Sequence, residues 1–476
     1  MQQLTGLDAA FLAMETSAVF GHVGSVCVLD PSTSPEPLTL ERLQRVISSR
    51  LHLVPPFRRR LAEVPFGFDQ PYWIEDPDFD IEFHVRELSL PAPGDDKQLA
   101  DQMARLHARP LDRRRPLWEL YLVTGLSGGR AAIYTKVHHA AIDGVSGNDI
   151  LAAVLDLTPQ GRDVGDVPAW KGDRVPGPVP LLARSLVSLA GHPVRAARLT
   201  AGLVSYTPHL LRNRPAVPVL DRWLPRRGSS AVLSQSGLRA PRTPFNKPIT
   251  PHRRWAFRTV PIADVKAVKN AAGATVNDVV MALCSGALRR WLQDHDALPD
   301  VPLVAAVPVS VRTEEQQGQG GNRVSTMTAA IPTNVEDPAE RLALCHEAMR
   351  AAKEQHGALP ANLLADVTQF AMPALAGQAA RMAARLRLVE WLSPFNLIIS
   401  NVPGPNVRLY YAGAELLAYY PLSAIADGQG LNITVMSLGE GMHFGLVACR
   451  ELVPDLDRLA GYLVDELEAL TKAVSR

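Results

Sequence analysis

A proline-dense stretch divides this chain and most constrains what it can fold into. Prolines recur from Pro168 to Pro225. Each one removes a backbone N–H and clashes with the preceding turn, so no long helix or central strand can run through this region. It reads as a crossover carrying short helical pieces. On its two flanks the pattern is different and regular. Before it, GHVGSVCVLD, LWELYLVTGL and RAAIYTKVHH read as strands. LTLERLQRVISSRL and KQLADQMARLHARPL space their apolar residues as amphipathic helices do. SGG between the second and third strands signals a hairpin. After it, RRWAFRTVPI, VPLVAAVPVSVR, STMTAAIP, FNLIISNVPG, LNITVMSL and MHFGLVACREL are strand-like, and ATVNDVVMALCSGALRRWL and DLDRLAGYLVDELEALTKAV are helical. The expectation is an α/β (α+β) chain in three parts: 1–160, a crossover 161–250, and 251–476. With 476 residues, the chain suits two cores of roughly 200 residues each better than one.

Overall charge offers no support for one class of partner, a local basic face aside. Lys and Arg total 49 against 48 Asp and Glu, a net charge of +1, which gives no global case for nucleic acid. Cys27, Cys284, Cys345 and Cys449 are scattered with no CxxC pair, as expected of buried free thiols in a reducing compartment. The N-terminus has no basic start and carries Asp8, unlike a secretory signal. No run reaches the roughly 18 apolar residues of a membrane span.

The chemistry concentrates in HHAAIDG, His138 to Gly144. It follows a predicted strand and precedes a predicted helix, VSGNDILAAVLDL, so a side chain there can be rigid and still reach a channel. A neutral imidazole can take a proton at neutral pH and return it within one turnover. An alcohol needs that help before it can attack, whereas a thioester carbonyl is already activated. One base then suffices and no acyl-enzyme is required, in keeping with the absence of a G-x-S-x-G elbow. Neighbouring histidines on a strand face opposite ways, so one of the two serves a given site. A buried structural pair is the competing reading. A metal site is a third, although neither a His-x3-His spacing nor a paired third ligand appears.

Several stretches resemble the bacterial wax ester synthase/diacylglycerol acyltransferase family, within the wider group of CoA-dependent acyltransferases. They are LTGLDAAFLAMET, PLDRRRPLWELYLVTGL, HHAAIDGVSG, APRTPFNKPITPHRRWAF, ATVNDVVMALCSGALRRWL, VPVSVRTEE with GNRVS, and SNVPGP. They occur in the family's order over essentially the whole chain. The resemblance implies two chloramphenicol-acetyltransferase-like domains with the active-site channel between them. It implies His139 as general base, His138 as its support, and Asp143 as a structural brace. Acyl-CoA would be a co-substrate with no separate cofactor, and diacylglycerol or a fatty alcohol the acceptor. A condensation-type enzyme fed by a carrier protein and a silent lipid-binding protein are the alternatives.

Other residues carry two readings each. Asn277 and Asp278 in TVND cap a helix behind Thr275, and the resemblance adds a share in shaping the channel. Trp118 is a core residue by its surroundings, and a site-lining one by resemblance, as is Gly144. Arg312 is a surface cation or the partner of Asp143, since a buried carboxylate needs one. SNVPGP is a rigid turn that the resemblance places near a channel. The Arg-rich, acid-poor stretch 181–214 fits a membrane surface or a helix pair packed on the body. The chain is expected in the cytoplasm, with the inner membrane face or a lipid droplet as a peripheral station.

Overall fold

The computed structural model of the chain describes residues 1–67, 69–142, 147–166, 168–185, 240–310, 324–356 and 394–475. In the first half, Thr5 caps α1 (Gly6–Met14) by accepting from the Asp8 N–H. Then come β1 (His22–Asp30), α2 (Leu40–Arg50), β2 (Val85–Ser89), α3 (Asp96–His107), β3 (Trp118–Thr124), β4 (Ala131–His138), α4 (His139–Ile142) and α5 (Gly147–Val154). In the second half lie β5 (Arg253–Pro261), α6 (Ile262–Ala272), α7 (Val276–Asp294), β6 (Leu303–Ser310), β7 (Val324–Ile331) and α8 (Pro338–His356). They are followed by β8 (Leu397–Val402), β9 (Ala414–Leu422), β10 (Leu431–Leu438), β11 (Gly441–Cys449) and α9 (Leu456–Val474). The expected α/β alternation is present on both sides of the crossover, and β3 and β4 pair antiparallel as the hairpin signal predicts.

The strands form two large sheets. One runs β2-β3-β4-β1-β9 and continues through two short strands, Tyr410–Tyr411 and Leu155–Asp156. The other runs β7-β6-β8-β10-β11-β5. Strand β9 comes from the chain's second half yet completes the first sheet, antiparallel to β1 with Tyr419 opposite Cys27. Sequence periodicity gave no sign of this crossing. A bulge between Leu416 and Ala418 breaks its alternation and leaves Leu417 46% exposed.

One core lies wholly in the second half, a second is built from the first half with Tyr411, Ala414, Leu416 and Leu438 added from the second, and a third apolar cluster joins the two. It packs Val26, Val28, Leu99 and Met103 from the first half against Trp255, Phe257 and Val447 from the second. Tyr420 and Leu422 of β9 sit in the same cluster. The two sheets approach so closely that a Cβ on Gly445 would lie 1.9 Å from the Pro421 carbonyl oxygen. Only glycine fits there without moving backbone. Helix α7 is apolar almost all round, as a helix through a core must be. Among the described residues no single helix is long and apolar enough to cross a membrane. All four cysteines are buried free thiols, as expected.

Candidate active site

The two histidines part at the end of β4. His138 is the last residue of the strand and is buried, whereas His139 opens α4 and is half-buried. His138 is locked. Its Nδ1 accepts the Ala140 N–H at 3.0 Å, which leaves the proton on Nε2. Nε2 lies 3.2 Å from Glu15 Oε1 in a close electrostatic contact without the direction of a good hydrogen bond. Gly21 makes room for the ring, since a Cβ there would come within 2.6 Å of Nε2.

Glu15 follows α1 and ties this corner together. Its Oε1 accepts the Gly21 N–H at 2.8 Å, and its Oε2 accepts from Arg113 Nη2 at 2.7 Å. Arg113 also donates to the Leu12 carbonyl at 2.6 Å, holding the C-terminal end of α1 in place. Burial alone would raise the Glu15 carboxyl's pKa. The His138 ring, the Gly21 N–H and the Arg113 guanidinium outweigh it and hold the group at about 2, so Glu15 is a carboxylate at neutral pH.

His139 is placed by the same segment from its other side. Its N–H donates to the Gly21 carbonyl at 2.8 Å. Its ring stacks on Phe11 of α1 at 4.6 Å between centroids and 15° between planes. One short N-terminal unit, Phe11 to Gly21, thus fixes both histidines. Phe11 and Glu15 lie in LDAAFLAME, and Arg113 in PLDRRRPLW. Both stretches stand out in the sequence, but nothing in either marks these residues as partners of the histidines.

Trp118 is fully buried beside this corner. It stacks between Phe57 and His84, at 4.8 and 4.5 Å, and its Nε1 donates to the Phe57 carbonyl at 2.8 Å. It is a core residue and also a wall. An inner cavity of about 120 Å³ is lined by Trp118, Val137, Ile142, Cys27 and Tyr411, among others. The helix that His139 begins ends at Ile142, one of the residues lining this cavity. An outer apolar cavity of about 710 Å³ adjoins it, walled by Leu151, Leu155, Pro403, Pro405, Met436 and Leu438. That volume suits a lipid-sized ligand. SNVPGP therefore contributes two prolines to an apolar cavity.

Asn277 and Asp278 sit at the start of α7. Thr275 and Asp278 form a reciprocal capping box, with the Thr275 N–H donating to Asp278 Oδ2 at 2.8 Å. His346 Nδ1 lies 2.8 Å from the same oxygen. Asn401 of SNVPGP donates to Asn277 Oδ1 at 3.3 Å, linking the cap to the cavity wall. Asp143, Gly144, Arg312 and most of 181–214 lie outside the described residues. Among the described residues no group of three His, Cys, Asp or Glu could hold a metal ion.

Comparison with solved structures defines the class. A starter condensation domain of rhizomide synthetase matches at a TM-score of 0.53 with 12% identity, over 100% of this chain and 94% of that one. At that identity the likeness is one of fold. The wax ester synthase/diacylglycerol acyltransferase from Marinobacter aquaeolei VT8 matches at a TM-score of 0.68 with 30% identity, over 100% of both chains. At that identity and coverage the chain is an acyltransferase. The family models agree: a wax ester synthase/diacylglycerol acyltransferase catalytic domain matches residues 4–280, and the corresponding C-terminal domain matches 320–471. A Mycobacterium tuberculosis protein named as a diacylglycerol O-acyltransferase is 38% identical over 99% of this chain and 90% of its own length. Another from that species, bearing the name tgs2, is 37% identical over 98% of each. The chain belongs to the wax ester synthase/diacylglycerol acyltransferase family.

Proposed function

We propose that this acyltransferase moves a fatty acyl group from acyl-CoA to diacylglycerol, and also to long-chain alcohols, with His139 as general base. The observation that carries the reading is the unequal treatment of the two histidines. His138 is buried with its Nδ1 on the Ala140 N–H, while His139 is half-buried, stacked on Phe11 at the head of the helix whose Ile142 lines the inner cavity. His139 takes the alcohol's proton. The alcohol oxygen attacks the thioester carbonyl carbon, the C–S bond breaks, and the proton passes from His139 to the departing CoA thiolate. No further cofactor is needed, because the thioester supplies the activation. His138 with Glu15 braces the turn, Trp118 shapes the chain's path, and Asn277 and Asp278 hold the wall that SNVPGP forms. Asp143 braces the motif's loop through Arg312, and Gly144 gives that loop its freedom. The enzyme works at the periphery of a membrane or lipid droplet on the cytoplasmic side. Leu157 and Val407, 70% and 50% exposed at the outer cavity, support that station.

The test is release of CoA thiol from palmitoyl-CoA with diacylglycerol, hexadecanol or no acceptor. His139→Ala is expected to reduce acceptor-dependent release by about 10²–10⁴-fold while circular dichroism stays that of the wild type. Release that persists in the variant removes His139 as the base. Release only from a carrier-bound donor reassigns the substrate.

A further inference from the structure

The inner and outer cavities share a wall, and two side chains make it. Leu151 of α5 and Tyr419 of β9 are the residues that line both. Tyr419 stands opposite Cys27 on β1, and its hydroxyl engages the Ser25 side chain on the same strand. Ser25 and Cys27 line the inner cavity, so the phenol ring is anchored across the boundary at its far end. On the near side, about 120 Å³ lies beside the helix led by His139. On the far side lies about 710 Å³ of largely apolar space.

We propose that Tyr419, with Leu151 facing it, is the specificity-determining partition that sets how long a hydrocarbon chain this enzyme accepts. A chain running from His139 past Ile142 and Trp118 fills the small inner cavity and meets the Tyr419 ring. Removing the ring joins the two spaces, and each further methylene then finds apolar surface to bury. The inference rests on the acyl-transfer reading above. The chain in question is a long saturated hydrocarbon, supplied either by the acyl donor or by the alcohol. Apolar pockets distinguish single methylenes by about tenfold or more, so a partition of this kind has a measurable signature in relative rates.

The experiment measures kcat/KM for octanoyl-CoA and palmitoyl-CoA with hexadecanol, then for octanol and hexadecanol with palmitoyl-CoA. It uses wild type, Tyr419→Ala, Tyr419→Phe and Leu151→Ala. Tyr419→Ala is expected to raise the long-over-short ratio by at least about tenfold in one series and leave the other unchanged, which identifies whose chain is gauged. Tyr419→Phe keeps the ring and therefore the wild-type ratio. Leu151→Ala opens the wall from the other side and carries the test if Tyr419→Ala fails to fold. Unchanged ratios in both alanine variants overturn the proposal, as does equal loss of activity on every chain length in a folded Tyr419→Ala. Absence of acyl transfer by the wild type itself would instead overturn the reading of the function.

Discussion

Glu15→Gln tests the corner that holds the histidines. The Glu15 side chain is 15% exposed and meets His138, the Gly21 N–H and Arg113. These partners hold its carboxyl at about 2 against an ordinary value of 4.5. At about 1.4 kcal/mol per pH unit, that gap corresponds to about 3 kcal/mol of stability. The folded-state pKa is the lower one, so this contribution is complete above pH 4.5 and is lost as pH falls toward 2. Glutamine keeps the shape and deletes the charge. Its amide offers one acceptor oxygen where the carboxylate served three donors, and Arg113 keeps the Leu12 carbonyl and a longer ion pair with Glu63 at 3.8 Å. The expected loss at pH 7 is therefore at most about 3 kcal/mol, reduced by solvent screening of Arg113, whose side chain is 38% exposed. At pH 4 the gap between wild type and variant should narrow by about 0.8 kcal/mol, because the Glu15 carboxyl of the unfolded wild-type chain has begun to take up a proton while the folded one has not. Urea unfolding at both pH values, compared by midpoint at equal slope, reads this directly. A gap below about 1 kcal/mol at pH 7, or one that is the same at pH 4, would refute the argument that these charges hold the corner.

Other expectations follow from buried groups and close approaches. Burial holds His84 and His443 at about 4 and His107 at about 3. The unfolded chain therefore takes up their protons first, and stability falls as pH drops below 6.5, by up to about 2 kcal/mol per histidine at pH 5. Thermal melting between pH 7 and 5 checks this, and His84→Gln should flatten the slope. Asp278→Ala removes the acceptor of the Thr275 N–H and of His346 and should cost about 1–2 kcal/mol. An unchanged melting temperature would show that the capping box is not what Asp278 contributes. Gly445→Ala drives a methyl into the Pro421 carbonyl where the sheets meet. A loss of about 1–3 kcal/mol is expected, and calorimetry that shows none would mean the two sheets are free to part.

The sequence determined a good deal. Apolar spacing located most of the helices and strands of both halves, though not α1, β2, α6, α8 or β9, because a buried face repeats every two residues in a strand and every three or four in a helix. TVND declared the cap of α7, since capping is a matter of four adjacent residues. HHAAIDG marked the candidate site because two histidines between strand and helix patterns are legible locally. What the sequence left open were partners distant along the chain. Glu15 and Arg113 are 98 residues apart, and neither carries a local sign that they meet beside His138. Strand β9 carries a bulge that breaks its alternation and hides its strand pattern in the sequence. Nothing in AELLAYYPL says that it leaves its own half, pairs with β1 and brings Tyr419 to the edge of the inner cavity. Periodicity reports which face of an element is apolar, whereas the cavity wall and the histidine corner depend on which apolar or charged face each element meets, and only the packed chain decides that.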